Sequence, residues 1–404
     1  MRKDAKSRSG IPLEPFYEKD GGDDGDLGAP GAFPYTRGRH ARTRSGGSWI
    51  QRELCGEGSP TDSNKLIRYL LDVGQTDIDI VGDAPTMSMM DPDHPLSIPT
   101  AGTQGVSACC RQDYLELLAD IPIAETSVSS SIPAVFSIAG LIHAAKHTNA
   151  APEKLRGSAI QVPLYQEDCS YRIHLPVGFR SRLSADCVEY CADRLPRFHA
   201  FLEDTYYFSE SGLNGVEEMA LGFVEIRHLL RLLTGRGIDV DRIAPRIAIL
   251  VSCSMDFFEE IAKIRATRRL FARMVRDEFG AEDPRSQSVV ITSHTSGLAM
   301  TAQQPVNKIV RGTLQSLSLV LAGVQAIEIS AFDEALRTPS RESHLVSLRT
   351  QQVIDLESGV TKVADPLGGS YYVEALTDEI EKRIWDMVLD VEARGDIEAL
   401  VTRG

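Results

Sequence analysis

A regular alternation of short apolar segments and longer amphipathic ones is the feature that most constrains how this chain of 404 residues folds. The alternation begins at Trp49 and continues towards the C-terminus. The short segments are rich in β-branched residues, which predicts strands. They are TDIDIVGD (76–83), AETSVSSS (124–131), SAIQVPL (158–164), DTYYFS (204–209), RIAILVS (246–252), SVVITS (288–293), AIEIS (326–330) and VTKVADP (360–366).

The segments between these strands carry apolar residues at helical spacing, which predicts amphipathic helices. One series is Phe257, Ile261, Ile264, Leu270 and Met274, and a second is Val306, Ile309, Val310, Leu314 and Leu317. Thr338 followed by Pro339 predicts a further helix start, because a capping residue precedes a proline at the first helical position.

About eight strands, each followed by a helix, predict an α/β fold, namely a (β/α)8 TIM barrel with parallel strands. An open, doubly wound sheet would give the same alternation, so periodicity alone leaves both architectures open. Residues 1–47 are rich in Gly, Pro, Asp and Arg and cannot bury a core of their own. The predicted domains are therefore an extended N-terminal arm, 1–47, and the barrel, 48–404.

Charge and composition exclude several classes of partner. The formal net charge is −14, whereas nucleic acids and anionic membranes require a basic surface. No run approaches about 18 apolar residues, and no apolar segment follows the basic first residues, so we expect neither a membrane helix nor a secretory signal. The seven cysteines include no CxxC pair and are expected to be the reduced thiols of a cytoplasmic protein.

Polar residues stand where two consecutive predicted strands end, which is where barrels of this type build their active sites. The first group is Ser293, His294, Thr295 and Ser296, and the second is Ser330, Asp333 and Glu334. An ordinary barrel interior is filled with bulky apolar side chains.

One predicted strand departs from that rule, because Ser127, Ser129 and Ser131 fall on one face by alternation. An inward hydroxyl face would leave space and hydrogen-bonding groups for a ligand along the barrel axis. The alternative is that these serines face a helix or a water-filled gap.

No motif for a metal, a dinucleotide or a hydrolase is complete. His143 and His147 suit one helical face, but no third ligand accompanies them, so no metal site is predicted. The phosphate-binding patterns GxGxxG and GxxxxGK[ST] are absent. Ser293 and His294 are adjacent on a strand and should point to opposite faces, and no GxSxG occurs, which argues against a catalytic triad.

Several longer segments together resemble the substrate-binding barrel of methylmalonyl-CoA mutase and the related adenosylcobalamin-dependent acyl-CoA mutases. These segments are FPYTRG, SNKLIRYLLDVGQT, DAPT with DPDHP, ITSHTSGLAMTAQQPVNKIVRGTLQS, AGVQAIEISAFDEALRTPS and LESGVTKVADPLGGSYYVEALT. The resemblance extends from about Pro12 to the C-terminus. It implies a barrel whose axis holds the pantetheine chain of coenzyme A. It also implies radical chemistry, in which the cofactor performs the hard step while the protein positions and shields it.

The resemblance implies roles for residues that match the family position by position. Arg52, Gln161 and Arg246 fall where family members contact coenzyme A. Ser129 and Ser131 match a hydroxyl pair on the second strand.

A second group of matches concerns the cofactor and the reacting centre. Gln325, Ser330 and Glu334 match positions on the cofactor side, with Glu334 placed to hold the adenosyl ribose. Tyr206 matches the tyrosine of the family's Gly-Tyr-His motif.

Five positions depart from the family pattern. The histidine of that motif, which contacts the substrate carbonyl, is Tyr207, and the tyrosine near the migrating group is Leu54. The arginine that clamps the free carboxylate of methylmalonyl-CoA falls at Tyr171. A glutamine near the active site is His294, and a serine on the first strand is Asp79.

These departures change the expected substrate. Without the arginine, a buried substrate carboxylate would lack its partner, at a cost of several kcal/mol. Tyr207 or His294 could donate a hydrogen bond to the thioester carbonyl, and Asp79 could accept one from a substrate hydroxyl. A neutral, branched or hydroxylated short acyl-CoA therefore fits better than methylmalonyl-CoA.

The family's cobalamin-binding motif, DxHxxG, does not occur in this sequence. One expectation is that a separate small subunit supplies adenosylcobalamin, with this chain as the substrate-binding subunit of a homodimer or heterotetramer. The alternatives are a cobalamin-independent enzyme that applies acid–base chemistry to an acyl thioester, through Asp79, Tyr207 and His294, and a non-catalytic module that binds acyl-CoA.

Overall fold

A computed structural model describes residues 27–41, 49–165 and 175–403, and a single parallel sheet lies at the centre of this part of the chain. Its strands are β1 (Ile50–Gln51), β2 (Leu54–Cys55), β3 (Ile78–Ile80), β4 (Ser127–Ser130), β5 (Arg156–Ile160), β6 (Phe198–Asp204), β7 (Ile247–Cys253), β8 (Val290–Thr295) and β9 (Ala326–Glu328). From β2 to β9, each strand pairs in parallel with the next one along the chain.

The sheet closes on itself through its first strand, which is interrupted at residues 52–53. β1 pairs with β9, and β2 pairs with β3. The amide of Ile50 donates to the carbonyl of Gln325 at 2.9 Å, and the carbonyl of Cys55 accepts from the amide of Val81 at 2.9 Å. Taken as one strand, β1 and β2 complete a ring of eight parallel strands, so the predicted (β/α)8 barrel is confirmed and the open sheet is excluded.

Helices cover the outside of the barrel, and α9 packs against both α11 and α13. The helices are α1 (Pro60–Asp72), α2 (Ala84–Met87), α3 (Arg111–Leu117), α4 (Ala134–His147), α5 (Val177–Arg194), α6 (Tyr206–Glu210), α7 (Gly215–Gly235), α8 (Val240–Ile243), α9 (Phe257–Arg273), α10 (Pro284–Gln287), α11 (Pro305–Ala322), α12 (Arg341–Leu356), α13 (Tyr371–Ala393) and α14 (Ile397–Arg403). Among the described residues, no helix combines the length and the apolarity that crossing a membrane requires.

Local sequence signals explain several helix boundaries. Ser59 caps α1 through its side chain, and Pro60 takes the first position. Asn214 and Glu217 form a reciprocal capping box at the start of α7. Gly323 ends α11 with a φ of 78°, a left-handed conformation that favours glycine, and the chain then turns into β9.

The main hydrophobic core lies between the outer surface of the barrel and the helices. Ile249 and Val251 of β7 belong to this core, whereas Ala248 and Leu250 belong to a separate small cluster with Ile160 and Leu202. Because side chains alternate along a strand, the small cluster lies inside the barrel. Part of the barrel axis is therefore filled with apolar side chains.

Most predicted strands overlap observed ones, but two predictions are wrong. The first wrong prediction is the strand at 204–209. The observed strand, β6, is Phe198–Asp204, and residues 206–210 form α6 where the chain leaves the end of the barrel. The aromatic residues of 204–209 have high strand propensity, which tertiary context overrides here. Residues 360–362 form a 3-10 turn, since the closed barrel has no free edge for a further strand.

The first strand was missed because charged residues interrupt its apolar pattern at Arg52 and Glu53. The predicted start of α12 is also displaced. That helix begins at Arg341, and Ser340 caps it, whereas the sequence predicted a start at Thr338.

The predicted helix within 305–322 is present, but one of its apolar stripes is not buried. Val306, Val310 and Leu314 are 70%, 59% and 43% exposed. The face turned to the barrel carries small residues, and a Cβ at Gly312 would meet the side chain of Ile329 at 2.9 Å. This helix therefore packs on the barrel through small residues that allow it to approach the strands closely, rather than through a large apolar face.

Candidate active site

Arg52 crosses the interior of the barrel and joins several strands. Its Nη2 lies 2.9 Å from Oδ2 of Asp79 on β3, and its Nη1 donates to Oγ of Ser129 on β4 at 2.5 Å. Its Nε donates to Oε1 of Glu328 on β9. Ser129 also lies 2.7 Å from Oγ of Ser158 on β5. Ser129 thus faces inward, as the alternation predicted, but it meets an arginine rather than an empty axis.

His294 on β8 completes this group, because its Nε2 contacts Oε2 of Glu328. The neighbouring Ser293 donates instead to the carbonyl of Val251 at 2.9 Å. The side chains of Ser293 and His294 therefore point to opposite faces, so these two residues do not form the Ser–His pair of a triad. We name Arg52, Asp79, Glu328 and His294 the interior charge cluster.

Burial and charge together set the protonation of the interior charge cluster. Burial raises the pKa of Asp79 well above its ordinary value, with Arg52 opposing and Glu328 adding to the shift. Burial also acts to raise the pKa of Glu328, but His294 and Arg52 outweigh it and the pKa is lowered. Burial lowers the pKa of His294, yet Glu328, Asp79 and Asp204 outweigh it and the pKa is raised. Asp79 therefore keeps a proton, and Glu328 carries the negative charge between two cations.

The cluster has the spacing of a metal site without needing a metal ion. Ligand atoms of Asp79, His294 and Glu328 all lie within 4.8 Å of one another. Arg52 contacts both carboxyl groups, so a guanidinium already supplies the positive charge that a metal would provide. We interpret the cluster as a hydrogen-bonded charge network.

A small cavity opens at the C-terminal end of the barrel, next to the interior charge cluster. It offers about 30 Å³, room for about two water molecules. Several side chains that the sequence singled out line it together, although they come from different strands and loops. They are Leu54, Tyr206, His294, Ser330 and Glu334, with Glu53, Glu328 and His344 beside them.

Tyr206 and Tyr207 lie on α6, directly after β6, so they stand at the mouth of the barrel. The ring of Tyr206 meets that of His294 edge to face at 5.2 Å and that of Tyr207 at 5.6 Å. Burial, with the carboxylates of Glu210 and Glu334 adding, raises the pKa of Tyr206 well above its ordinary value. The Tyr206 hydroxyl therefore keeps its proton and can donate a hydrogen bond at the mouth.

Ser330 and Glu334 lie on the loop that follows β9. The Ser330 hydroxyl donates to the carbonyl of Thr295 at 2.7 Å, so its proton already has an acceptor within the chain. Oε2 of Glu334 accepts from the amide of Ala331 at 2.9 Å, while the residue itself is exposed. Glu334 is thus the more accessible of the two.

Arg246 and Gln325 lie at the opposite, N-terminal end of the barrel. Arg246 immediately precedes β7 and donates to the carbonyl of Leu195 at 3.3 Å. Gln325 immediately precedes β9, and its side-chain oxygen accepts from the amide of Ile291 at 2.9 Å. One ligand at the mouth could not touch both Gln325 and Glu334, so this geometry does not bring the two cofactor-side residues together.

Two arginines, Arg39 and Arg246, lie near a buried histidine at this N-terminal end. Burial lowers the pKa of His199 to about 3, and the guanidinium groups of Arg39 and Arg246 lower it further. Neither arginine forms an ion pair within the part of the chain that the structure describes. The N-terminal end of the barrel can therefore attract an anion.

The remaining predicted residues have less distinctive surroundings. The side-chain amide of Gln161, after β5, donates to the carbonyl of Ala200. The Ser131 hydroxyl, after β4, donates to the carbonyl of Ile80 at 3.4 Å. Tyr171 lies outside the described residues. The ligand-binding roles of all these residues stay predictions.

Sequence reasoning missed two carboxyl groups of the site, Glu53 and Glu328. Burial, with Glu328 adding, raises the pKa of Glu53 well above its ordinary value. Oε1 of Glu53 accepts from Gln351 at 3.3 Å, and Oε2 lies 3.9 Å from Nδ1 of His344. The available signal was an acidic residue within an apolar strand segment, since a buried carboxyl requires a partner.

A second buried network supports the mouth from outside the barrel. Nζ of Lys263 lies 2.7 Å from Oε2 of Glu218 and 2.7 Å from Oε2 of Glu260, and it donates to the carbonyl of Ser252 at 2.8 Å. Oε1 of Glu218 accepts from Oγ1 of Thr205 at 3.0 Å. Because Thr205 precedes α6, this network fixes the start of the helix that carries Tyr206.

Fold and site together define a (β/α)8 barrel with charged and hydroxyl groups in its interior, a polar mouth at its C-terminal end and two arginines, Arg39 and Arg246, near its N-terminal end. The sequence model of the family described as methylmalonyl-CoA mutase matches residues 6–404, and the chain belongs to that family.

Individual relatives agree with this assignment. The chain is 35% identical over 381 residues to the 2-hydroxyisobutanoyl-CoA mutase large subunit of Aquincola tertiaricarbonis, a match that covers 94% of this chain and 68% of that protein. It is 34% identical over 404 residues to the methylmalonyl-CoA mutase of Rhizobium meliloti (strain 1021), covering 98% and 56%. It is 30% identical over 400 residues to the mitochondrial methylmalonyl-CoA mutase of Homo sapiens, covering 98% and 53%.

The chain therefore spans between about half and two thirds of the length of these curated relatives. Their names describe CoA mutases, which are isomerases.

Proposed function

We propose that this chain is the substrate-binding barrel of an adenosylcobalamin-dependent acyl-CoA mutase, and that its substrate is a short, neutral acyl-CoA, preferably hydroxylated. The observation that carries the proposal is the chemistry of the mouth. Tyr206 and His294 offer hydrogen bonds there, and the protonated Asp79 lies behind them in the interior charge cluster. Glu328 presents negative charge to the same cavity, and Glu334 adds a second carboxyl group. Such a mouth favours a hydroxyl or carbonyl group on the acyl part of the substrate and disfavours a free carboxylate there.

Arg52 does not replace the arginine that the family uses for a substrate carboxylate. It is 2% exposed, and Asp79 and Glu328 already engage it. The 2-hydroxylated substrate in the name of the Aquincola relative supports the same preference.

The direction in which the substrate lies follows from the two ends of the barrel. Arg39 and Arg246 at the N-terminal end suit the phosphates of coenzyme A, and the mouth suits the acyl thioester. The pantetheine chain would then follow the axis past Ser129. Because Arg52 and the apolar cluster fill that axis, substrate entry requires these side chains or the interrupted first strand to move.

The C-terminal mouth also fits the cofactor. Its loops expose a rim of apolar side chains that a large ligand or a subunit could cover, namely Leu96, Ile98, Leu298 and Leu336, each 59% to 65% exposed. A hydrogen bond of 3.4 Å between Thr338 and the carbonyl of Thr103 joins two of these loops. Glu334 would hold the ribose hydroxyls of adenosylcobalamin, and Ser330 would lie beside it.

When bound, adenosylcobalamin supplies the radical chemistry of a 1,2-rearrangement. The residues of this chain bind the thioester, orient it and exclude water. A separate small cobalamin-binding subunit, in a homodimeric or heterotetrameric cytoplasmic enzyme, would complete the assembly, with residues 1–47 as the arm of the barrel domain 48–404. The words large subunit in the name of the Aquincola relative support such a division.

A second candidate is a cobalamin-independent enzyme that uses acid–base chemistry on an acyl thioester. The interior charge cluster favours it, because a proton on Asp79 and a histidine at the mouth are the groups that such chemistry requires. Tyr207, in place of the family's histidine, would then be a further donor.

One experiment separates the two candidates. The purified chain is combined anaerobically with adenosylcobalamin, a candidate small subunit and matched acyl-CoAs that carry a 2-hydroxyl group, no substituent or a free carboxylate. Absorbance follows the cofactor, and mass spectrometry follows the products. Isomerisation of the hydroxylated or neutral substrate is expected, whereas turnover without cobalamin would establish the second candidate, and preference for the carboxylated substrate would overturn the proposed specificity.

A binding experiment tests the orientation. Arg246→Ala should weaken binding of acyl-CoA by about tenfold, because one charge-assisted phosphate contact is lost, and leave the affinity for acyl-pantetheine unchanged. Arg68→Ala is the matched control, since Arg68 pairs with Asp120 on the exposed surface. Equal losses for both ligands would place the nucleotide elsewhere.

A further inference from the structure

Glu328 contacts two cations at once inside the barrel, and no motif in the sequence assigned it a function. We propose that Glu328 is a positioning residue: it clamps Arg52 across the axis and holds His294 by Nε2, so that Nδ1 of His294 presents its proton to the thioester oxygen. The identity of that oxygen rests on the proposed function. The positioning itself rests on contacts within this chain.

The first support is the division of labour between the two carboxylate oxygens. Oε1 of Glu328 accepts from Nε of Arg52, and Oε2 contacts Nε2 of His294. Glu328 is 3% exposed, so water cannot replace either partner. Each oxygen therefore fixes one cation, and together they tie β9 to β8 and to the first strand.

The second support is the orientation of the imidazole ring. Nε2 faces Glu328, and the ring edge packs against Tyr206 at 5.2 Å. Within the described residues, Nδ1 of His294 has no hydrogen-bond partner, and the residue lines the cavity at the mouth. A carbonyl oxygen in that cavity is therefore the natural acceptor for Nδ1.

The third support is the distribution of charge around His294. The groups that face it are Glu328 on β9, Asp79 on β3, Asp204 on β6 and Glu334 on the loop after β9, with Arg52 behind Glu328. Asp79 keeps its proton, so it cannot supply the full charge. Glu328 is the carboxylate in contact with the ring, and it is therefore the group that keeps the imidazole cationic.

A cationic ring matters for the chemistry. A neutral imidazole carries one proton on either nitrogen, and contact with Glu328 would draw that proton to Nε2. Nδ1 would then be a hydrogen-bond acceptor, and it would repel a carbonyl oxygen instead of donating to it. With Glu328 ionised, both nitrogens carry protons, and the donor at Nδ1 is charge-assisted.

The test reads the state of His294 directly. The imidazole signals of the chain are followed by NMR against pH, and His294→Gln identifies the signal to be followed. Glu328→Gln should lower the apparent pKa of His294 by about 1 to 3 units, because the adjacent opposite charge is lost. Asp79→Asn is the matched control and should shift it by much less, since that carboxyl already holds its proton. An unchanged His294 in Glu328→Gln, or a larger shift in Asp79→Asn, would overturn the inference.

Two further measurements keep the inference separate from the proposed function and from folding. If Glu328→Gln does not fold, Glu328→Asp retains the charge but withdraws it by one methylene, and a smaller downward shift is expected; no shift would contradict the inference. Acyl-CoA affinity is then measured against pH. Its loss as His294 deprotonates should move to lower pH in Glu328→Gln. A shifted His294 without any acyl-CoA binding would refute the proposed function while the positioning by Glu328 stands.

Discussion

Lys263→Met tests the buried network that supports the mouth of the barrel. Among the residues that the structure describes, Lys263 is the only cationic member of that network. The ammonium of Lys263 is 1% exposed, and it lies between Glu218 and Glu260, whose side chains are 0% and 6% exposed. Methionine preserves much of the volume but neither the charge nor the hydrogen bond to Ser252. The change therefore leaves two carboxyl groups without their counterion in a dry environment.

The expected loss of stability is large. Breaking a buried ion pair by removal of one partner costs about 3–5 kcal/mol, because the remaining charge is uncompensated. Lys263→Met combined with Glu218→Gln should recover part of that loss, since one of the two buried carboxyl groups is then replaced by a neutral amide. The recovery would show that electrostatics, rather than lost packing, dominates.

The loss should also depend on pH, with a definite sign. Burial, with Lys263 opposing, raises the pKa of Glu218 from 4.5 to about 7. A carboxyl group with a raised folded pKa stabilises the folded state below its unfolded pKa and loses that contribution as pH rises through the folded value. Without Lys263 the pKa of Glu218 in the folded state rises further, so the pH range over which Glu218 loses its stabilising contribution extends above 7. The deficit of the variant should be larger at about pH 8 than at about pH 5.

Urea denaturation, followed by circular dichroism at both pH values, measures this deficit. Lys382→Met is the matched control, because Lys382 is 70% exposed in an i,i+4 pair with Asp386 and should change stability by less than about 0.5 kcal/mol. A deficit for Lys263→Met below about 1 kcal/mol at the higher pH, or one independent of pH, would refute the reasoning.

Three further changes test other parts of the structure. Glu334→Ala should weaken the response of the assembled enzyme to adenosylcobalamin by about tenfold through loss of a charged hydrogen bond, and an unchanged cofactor titration would count against its proposed role. Asp79→Ala should reduce the affinity for a 2-hydroxylated acyl-CoA about tenfold more than for its unsubstituted analogue, because the hydrogen-bonding carboxyl group is lost, as calorimetry would show; equal losses would remove Asp79 from substrate recognition. Gly140→Ala would place a Cβ 2.2 Å from the ring of Tyr114 and should destabilise the chain by about 1–3 kcal/mol, whereas Gly235→Ala, with nothing within 4 Å, should not. Thermal unfolding of the two glycine variants would decide, and a stable Gly140→Ala would contradict the packing of α4 against α3.

Several parts of the fold were predictable because they depend on local pattern. Apolar strand segments such as 246–252 and 288–293 match β7 and β8 within one or two residues, since strands buried on both faces leave a clear apolar signature. The inward direction of Ser129 and the opposite directions of Ser293 and His294 follow from the two-residue period of a strand.

Other parts could not be predicted because their cause is not local. The exposed stripe of α11 has the same spacing as a buried one, and only the close packing of Gly312 on the barrel decides which face turns inward. Similarly, the carboxyl groups of Glu53 and Glu328 interrupt apolar strands, and their partners lie far away in the sequence.

The alternation of strands and helices, the family and the residue types at the ends of the strands could be recognised from the sequence, because each depends on short segments of the chain. The surroundings of those residues became known only from the folded barrel. Closure of the barrel through an interrupted first strand brings Arg52, Asp79, Glu328 and His294 from four places in the chain into one water-poor interior. There each side chain sets the charge of the next, since screening by water is lost and only neighbours in space can compensate a buried charge.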